Sequence, residues 1–210
     1  MSFSRPQPRP EVLAIDAYVP GKPAPASAAK TYKLSSNESP LGPSPKAIAA
    51  FRDAAASLAL YPDGGAHALK EAIAERHGLD PAWLMVGNGS DEVLAHAFQA
   101  LLKHDRPLLY PDITYSFYPV YCLLYGIEAR EIPLDENFVI RLSDYGADAG
   151  AIILPNPNAP TGIGLPLTEI EELLEAHPDI PVVVDEAYVD FGGDSAIPLT
   201  RRHDNLLVVH

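Results

Sequence analysis

Short apolar segments alternate with amphipathic helical patterns along most of this chain, and this alternation restricts the fold more than any other feature. Strands are predicted at residues 83–87, 107–111, 127–132, 151–155, 181–185 and 205–209. Between them, apolar residues recur at helical spacing. Strands that alternate with helices are typical of βαβ units and a mainly parallel sheet. We therefore expect an α/β protein with a three-layer αβα architecture.

Several helix starts carry recognisable N-terminal signals. Ser44 and Pro45 provide an N-cap followed by a first-turn proline. Ser90 stands where it could cap the helix that follows the 83–87 segment. Thr168 and Glu171 have the spacing of a capping box. These signals predict helices that begin near residues 45, 91 and 169.

Charge and composition exclude several classes of function. The formal charge of −13 disfavours contact with nucleic acid, whose phosphates would be repelled. No apolar run approaches the roughly 18 residues of a membrane-spanning helix, and the N-terminus lacks the apolar core of a signal peptide. Cys122, the only cysteine, is predicted to be a buried thiol, and the scattered histidines predict no metal site. We expect a cytoplasmic protein that binds neither nucleic acid nor membrane.

The segment "VVVDEAYVDF" is a buried-strand pattern that ends in Asp185. In parallel sheets, ligands bind in the crevice at the carboxyl ends of the strands. A single strand-end aspartate is more often a loop acid or a helix N-cap. However, the loops "GNGSDE", "PDITYSFY" and "NPNAPTG" are predicted at the same edge of the sheet, and their composition favours a ligand site there.

The chemistry of these loops fits one planar, phosphorylated ligand. The glycine turn before Ser90 leads into a helix N-terminus, which favours a phosphate, although it also reads as a plain tight turn. Tyr115 could stack on a flat ring or be a half-buried core residue. Asp185 and Tyr188, three residues apart, could both approach one small ring. An acid beside a ring nitrogen keeps that nitrogen protonated, as pyridoxal phosphate requires to withdraw electrons.

Six motifs occur in an order that resembles a known family. They are "SSNESPLGPSP", "YPDGGAHALKEAIAERHG", "GNGSDEV", "PDITYSFY", "PNPNAPTG" and "VVVDEAYVDF". In this order they resemble the fold-type I pyridoxal-phosphate-dependent aminotransferases. With "YVPGKP" at 18–23, they are most similar to histidinol-phosphate aminotransferases. The resemblance implies pyridoxal 5'-phosphate as cofactor and the large domain of that fold.

The same resemblance implies roles around the cofactor ring. Asp185 would pair with the pyridine nitrogen, and Tyr188 would hydrogen-bond the ring oxygen. Tyr115 would stack on the ring. The phosphate would be held by backbone amides of the 90–92 loop, which contains Ser90, Asp91 and Glu92.

Two further tyrosines are assigned by the resemblance alone. Tyr61 would reach the cofactor phosphate of a neighbouring subunit, which implies a homodimer with shared active sites. Tyr18 would lie on the substrate side. The implied reaction converts histidinol phosphate and 2-oxoglutarate to imidazole-acetol phosphate and glutamate, so the partners are a small-molecule amino donor and a 2-oxo acid.

The sequence departs from the family pattern at two places. Ala159 stands where the family's commonest loop has an asparagine that touches the ring oxygen, so either Asn158 supplies this contact or Tyr188 makes it alone. The cofactor-binding lysine is expected shortly after "NLLVVH", beyond His210. We therefore expect residues 1–35 to form an N-terminal arm belonging to a small domain, and 36–210 an incomplete, inactive large domain.

Three alternatives remain open from the sequence. An aromatic amino-acid aminotransferase or a phospho-amino-acid decarboxylase of the same fold would share the ring-contacting residues. A non-catalytic binding protein could retain the sheet. A nicotinamide-dependent dehydrogenase is disfavoured because "GNGSDE" lacks the third glycine of the dinucleotide fingerprint.

Overall fold

The computed structural model describes residues 8–16 and 37–210. The expected domain boundary at 35/36 and Tyr18 lie outside the described residues. The chain divides into two compact units, residues 1–15 with 70–210, and residues 16–69. Among the described residues, no helix is both long and apolar enough to cross a bilayer.

Five parallel strands form the sheet of the larger unit. They are β1 (Leu108–Pro111), β2 (Ala129–Ile132), β3 (Ala151–Pro155), β4 (Val182–Asp185) and β5 (Leu206–Val209), and they lie in the order β2-β1-β3-β4-β5. Neighbouring strands pair in register, so that Pro155 lies opposite Asp185 and Asp185 lies opposite Val209. Chain order reverses direction between β1 and β3, which is the switch point where such sheets bind ligands.

Six α-helices accompany the strands in the described residues: α1 (Pro10–Leu13), α2 (Pro45–Ala54), α3 (His67–His77), α4 (Ser90–Leu101), α5 (Tyr118–Tyr125) and α6 (Leu167–Ala176). Five short 3₁₀ helices lie at Ala55–Ser57, Pro81–Trp83, Leu142–Asp144, Val189–Phe191 and Ile197–Arg201.

Alternate residues of β1, β3, β4 and β5 pack into two separate cores, whereas the edge strand β2 contributes only Ile132. On one face, Ile152, Leu154 and Val184 pack with α6. On the other face, Ile153 and Val183 pack with α4 and α5. Burial of these side chains on both faces, each worth about 1.5–3 kcal/mol, explains the uninterrupted apolar runs. The expected three-layer αβα architecture is confirmed.

Three local predictions were wrong. Residues 81–83 form a 3₁₀ turn, and the extended segment after it pairs with no described strand, so 83–87 is not a strand. Helix α4 begins at Ser90 with Gly89 as N-cap. Ser90 is therefore a helical residue and not the cap, and the Glu92 carboxylate accepts a hydrogen bond from the Asn88 backbone N–H just before the helix.

Helix α6 also starts earlier than the capping-box spacing predicts. Pro166 is the N-cap, and the helix begins at Leu167 because the proline's fixed φ leads directly into it. Glu171 accepts from Arg202 at 2.8 Å and His203 at 3.0 Å instead of capping. The Ser44–Pro45 start is confirmed, since the Ser44 hydroxyl accepts from the Lys46 N–H at 3.3 Å.

Gly126 ends α5 in the left-handed conformation, with φ 62°. A β-carbon there is disfavoured by about 1–2 kcal/mol, so we expect Gly126→Ala to lower the free energy of unfolding by about that amount in urea titrations. The control is Gly64→Ala, where an added β-carbon meets no atom within 4 Å and φ is not positive. Equal losses in both variants would contradict this account.

Candidate functional site

A cavity of about 130 Å³ opens at the carboxyl ends of β1, β3 and β4. Four segments contribute to its wall: the first turn of α4, the loop after β1, the proline-rich loop after β3, and the turn after β4. The lining residues are Ser90, Asp91, Tyr115, Pro155, Pro157, Ala159, Asp185, Ala187 and Tyr188. Sequence elements far apart along the chain therefore meet at the switch point of the sheet.

Asp185 is the last residue of β4 and is only 5% exposed. Oδ2 accepts a hydrogen bond from the Tyr118 hydroxyl at 2.7 Å, and Oδ1 accepts from the Ala187 backbone N–H at 3.2 Å. Burial raises the pKa of this carboxyl above its usual value, while the hydrogen bonds from Tyr118 and Ala187 oppose the rise. The site thus holds a desolvated acid that a cationic group in the cavity would stabilise.

Tyrosines on and before α5 form a second part of the site. The Tyr115 hydroxyl donates to Oδ1 of Asp91 at 2.7 Å, and the Tyr121 hydroxyl donates to the Asp91 backbone carbonyl at 2.9 Å. Burial raises the pKa of Tyr115, and it raises that of Tyr121 to about 12. These phenols therefore remain neutral donors at physiological pH, and they tie α5 to the first turn of α4.

The residues expected to form a phosphate loop are instead the first turn of α4. Ser90, Asp91 and Glu92 are its first three residues, whose N–H groups have no partner within the helix. The Glu92 carboxylate turns back to Asn88, accepting from its backbone N–H and, at 3.0 Å, from its side-chain amide. Ser90 and Asp91 line the cavity, whereas Glu92 does not.

The loop after β3 is held by its two asparagines. Oδ1 of Asn156 accepts from the Leu165 N–H at 2.7 Å, and the amide nitrogen of Asn158 donates to the Ile113 carbonyl at 3.0 Å. Oδ1 of Asn158 is buried without a hydrogen-bond partner in the described residues. Ala159, rather than Asn158, lines the cavity, and the amide nitrogen of Asn158 is bonded to the loop after β1.

Glu186 was not singled out as a functional residue by the sequence, yet its side chain is fully buried directly after Asp185. Its carboxylate accepts from the Ser195 hydroxyl at 2.6 Å and from the Ala196 backbone N–H. This anchors the turn that carries Tyr188. The only sequence signal was a second acid after a buried strand.

The structure brings together five of the predicted site residues, which all line the cavity: Ser90, Asp91, Tyr115, Asp185 and Tyr188. Tyr61 is fully exposed in the smaller unit. Tyr118 was missed by sequence reasoning because nothing in "PDITYSFY" separates it from the other aromatic residues. Cys122, in contrast, is buried as predicted, and burial raises its pKa to about 12.

The arrangement combines a buried acid, an exposed set of backbone donors, an aromatic side chain and a rigid apolar wall. Such a cavity can bind a flat ring whose one edge is cationic and whose other end is anionic. The carboxyl group of Asp185 and the phenols of Tyr115 and Tyr188 line this cavity, and each can bind or donate a proton at a fixed position.

Comparisons with known proteins agree with this chemistry. The family model for aminotransferases of class I and II matches residues 29–210. Histidinol-phosphate aminotransferase 2 of Rhizobium meliloti is 61% identical over 201 residues, which is 95% of this chain and 57% of that protein. Histidinol-phosphate aminotransferase of Aromatoleum aromaticum is 58% identical, with 94% and 56% covered. The chain thus spans little more than half the length of these relatives.

A solved structure has the same fold. The histidinol-phosphate aminotransferase of Sinorhizobium meliloti, crystallised in complex with pyridoxal-5'-phosphate, is 26% identical with a TM-score of 0.74. The similarity covers 82% of this chain and 49% of that one. The family match extends over most of the chain and includes every strand of the sheet. This chain therefore belongs to the class I and II aminotransferase family.

Proposed function

We propose that the protein containing this chain is a pyridoxal-phosphate-dependent aminotransferase. In this proposal it converts histidinol phosphate and 2-oxoglutarate to imidazole-acetol phosphate and glutamate. The observation that carries the proposal is the buried carboxylate of Asp185 at the wall of the cavity. The high identity to histidinol-phosphate aminotransferases supports the choice of substrate.

The residues of the cavity fit the cofactor. Asp185 is an acid whose pKa is raised by burial, so a protonated ring nitrogen would supply the opposite charge that it lacks. The free N–H groups at the start of α4 suit a phosphate. When bound, pyridoxal phosphate would supply an electron-withdrawing ring that takes up charge from the substrate's α carbon.

In this proposal the chain's own residues bind and orient the ring. Asp185 holds a proton on the ring nitrogen, Tyr115 offers its aromatic face, and the backbone of residues 90–92 binds the phosphate. Tyr188 donates to the ring oxygen, either alone or together with Asn158, whose amide donates one N–H to the Ile113 carbonyl. Ala159 and Pro157 exclude water from one side.

The partners and location are part of the same proposal. We infer a cytoplasmic homodimer in which Tyr61 reaches the cofactor phosphate of the neighbouring subunit and Tyr18 lies on the substrate side of the site. The exposure of the Tyr61 side chain is consistent with a role at an interface. Sedimentation at micromolar concentration should give twice the mass of one chain. A monomer that retains full activity would overturn the shared-site proposal.

The substrate assignment is tested by comparing amino donors. With 2-oxoglutarate as acceptor, we expect kcat/KM for histidinol phosphate to exceed that for phenylalanine by at least about a hundredfold, because a phosphate contact carries much of the binding energy. Equal values would favour an aromatic amino-acid aminotransferase. Release of CO₂ from a phospho-amino acid would favour the decarboxylase, and absence of pyridoxal-phosphate binding would favour a non-catalytic protein.

A further inference from the structure

We propose that Tyr118 is a positioning residue for Asp185. The phenol of Tyr118 fixes the orientation of the Asp185 carboxylate and holds it ionised at the cavity. The inference deepens the proposed function and rests on it for the identity of the ligand. The contact itself is a property of the chain. Tyr118 does not line the cavity, so it would act through Asp185 rather than on the ligand.

In the described residues, the carboxylate of Asp185 is the hydrogen-bond acceptor of the Tyr118 hydroxyl. The hydroxyl donates to Oδ2 of Asp185 at 2.7 Å, the length of a strong hydrogen bond between a hydroxyl and a charged oxygen. Tyr118 has no exposed surface, so its hydroxyl cannot turn to water instead. Burial and the adjacent Asp185 raise the pKa of Tyr118 well above its usual value, so the phenol stays protonated and always donates.

The ring of Tyr118 is held in place by three other aromatic rings. Its centroid lies 5.8 Å from that of Phe98, 6.0 Å from that of Tyr110 and 5.7 Å from that of Tyr115, the last two in edge-to-face arrangements. Edge-to-face contacts of this kind stabilise a defined orientation. Because β4 fixes the backbone of Asp185 from the other side, the donor and acceptor are both rigidly placed.

The charges that face Asp185 work against its ionisation. The carboxylates of Asp91, at the start of α4, and Glu186, next along the chain, both raise its pKa. The nearby Tyr115 and Tyr121 are neutral phenols whose own pKa values are raised. Within the part of the chain that the structure describes, two hydrogen bonds favour the anion, from the Tyr118 hydroxyl and from the Ala187 N–H, and the first has the larger effect. Removal of the Tyr118 hydroxyl therefore removes the main support of the charged form.

The test compares Tyr118→Phe with a matched control, Tyr125→Phe. Both variants lose one hydroxyl from the same helix, but Tyr125 does not line the cavity. The Asp185 carboxyl ¹³C signal would be titrated by NMR in the cofactor-free protein, and pyridoxal-phosphate affinity would be measured across pH. We expect Tyr118→Phe to raise the pKa of Asp185 and to weaken binding about tenfold, most strongly at acid pH. Tyr125→Phe should change neither.

Replacement of Tyr118 by 3-fluorotyrosine should change the pKa of Asp185 in the opposite direction to Tyr118→Phe, while nearly retaining the shape of the side chain. The more acidic phenol is a stronger donor, so we expect a lower pKa for Asp185 and tighter cofactor binding. An unchanged Asp185 titration in both Tyr118 variants, or an equal change in Tyr125→Phe, would overturn the proposal. Failure of the wild-type protein to bind pyridoxal phosphate would instead contradict the proposed function, while the NMR titration still decides the role of Tyr118.

Discussion

Replacing Asp185 with asparagine is expected to slow transamination by about a hundredfold or more, in the protein that contains this chain. Removal of one preorganised electrostatic contact from an active site commonly costs a factor of 10²–10³. An asparagine has no negative charge with which to keep a ring nitrogen protonated. Because the phosphate and ring contacts come from other segments of the chain, the variant should still bind pyridoxal phosphate supplied in excess, with an affinity lowered by at least about tenfold, as in Tyr118→Phe.

The measurement is single-turnover kinetics with histidinol phosphate, together with absorbance of the bound cofactor. The control is Asp190→Asn, which makes the same chemical change at an exposed position five residues later. It should keep the wild-type rate. An Asp185→Asn variant with an unchanged rate would remove Asp185 from the proposed mechanism.

The same substitution should stabilise the cofactor-free protein at neutral pH. Burial raises the folded-state pKa of Asp185 above its unfolded value, so the ionised form is disfavoured in the folded state. Proton binding by this carboxyl stabilises the folded state fully when the pH is below the pKa of Asp185 in the unfolded chain. That stabilisation is lost as the pH rises through the higher pKa of the folded state. We expect Asp185→Asn to unfold at higher urea concentration than wild type near pH 7. The difference should disappear on acidification below the ordinary pKa near 4.

The sequence predicts the sheet well because its physical signal is strong. Strands β3 and β4 are buried on both faces, so their apolar runs have no polar interruption until Asn156 and Asp185. The position of Asp185 at the cavity follows from the parallel arrangement of these strands. The residues 83–87 have the same apolar character, but strand formation also requires a pairing partner, which local composition cannot reveal.

The contacts made by side chains were not predictable in the same way. The partners Tyr118 and Asp185 are 67 residues apart along the chain, so only the packing of α5 against the sheet reveals the hydrogen bond. Asn158 is adjacent to the expected contact position, yet its amide turns to Ile113. Sequence motifs thus predicted which loops meet, while hydrogen-bond partners depend on tertiary packing.

Glu186→Ala is expected to lower the free energy of unfolding by about 2–6 kcal/mol, because it leaves two hydrogen-bond donors without their acceptor, each at a cost of about 1–3 kcal/mol. Glu186 is 2% exposed, and its two oxygens accept from Ser195 and Ala196. His210 adds a contact at 3.4 Å. Truncation leaves the part-buried Ser195 hydroxyl and the buried Ala196 N–H without their acceptor, and it opens a cavity in the space of the lost side chain.

The control for this loss is Glu175→Ala, an exposed glutamate near the end of α6, which should change stability by less than about 0.5 kcal/mol. Glu186→Gln should fall between the two, because an amide retains one acceptor oxygen for the Ala196 N–H. Urea titrations of the three variants give the order directly. If Glu186→Ala were as stable as Glu175→Ala, the carboxylate would not anchor the 195–196 segment. The turn carrying Tyr188 would then owe its position to the paired strands β4 and β5 alone.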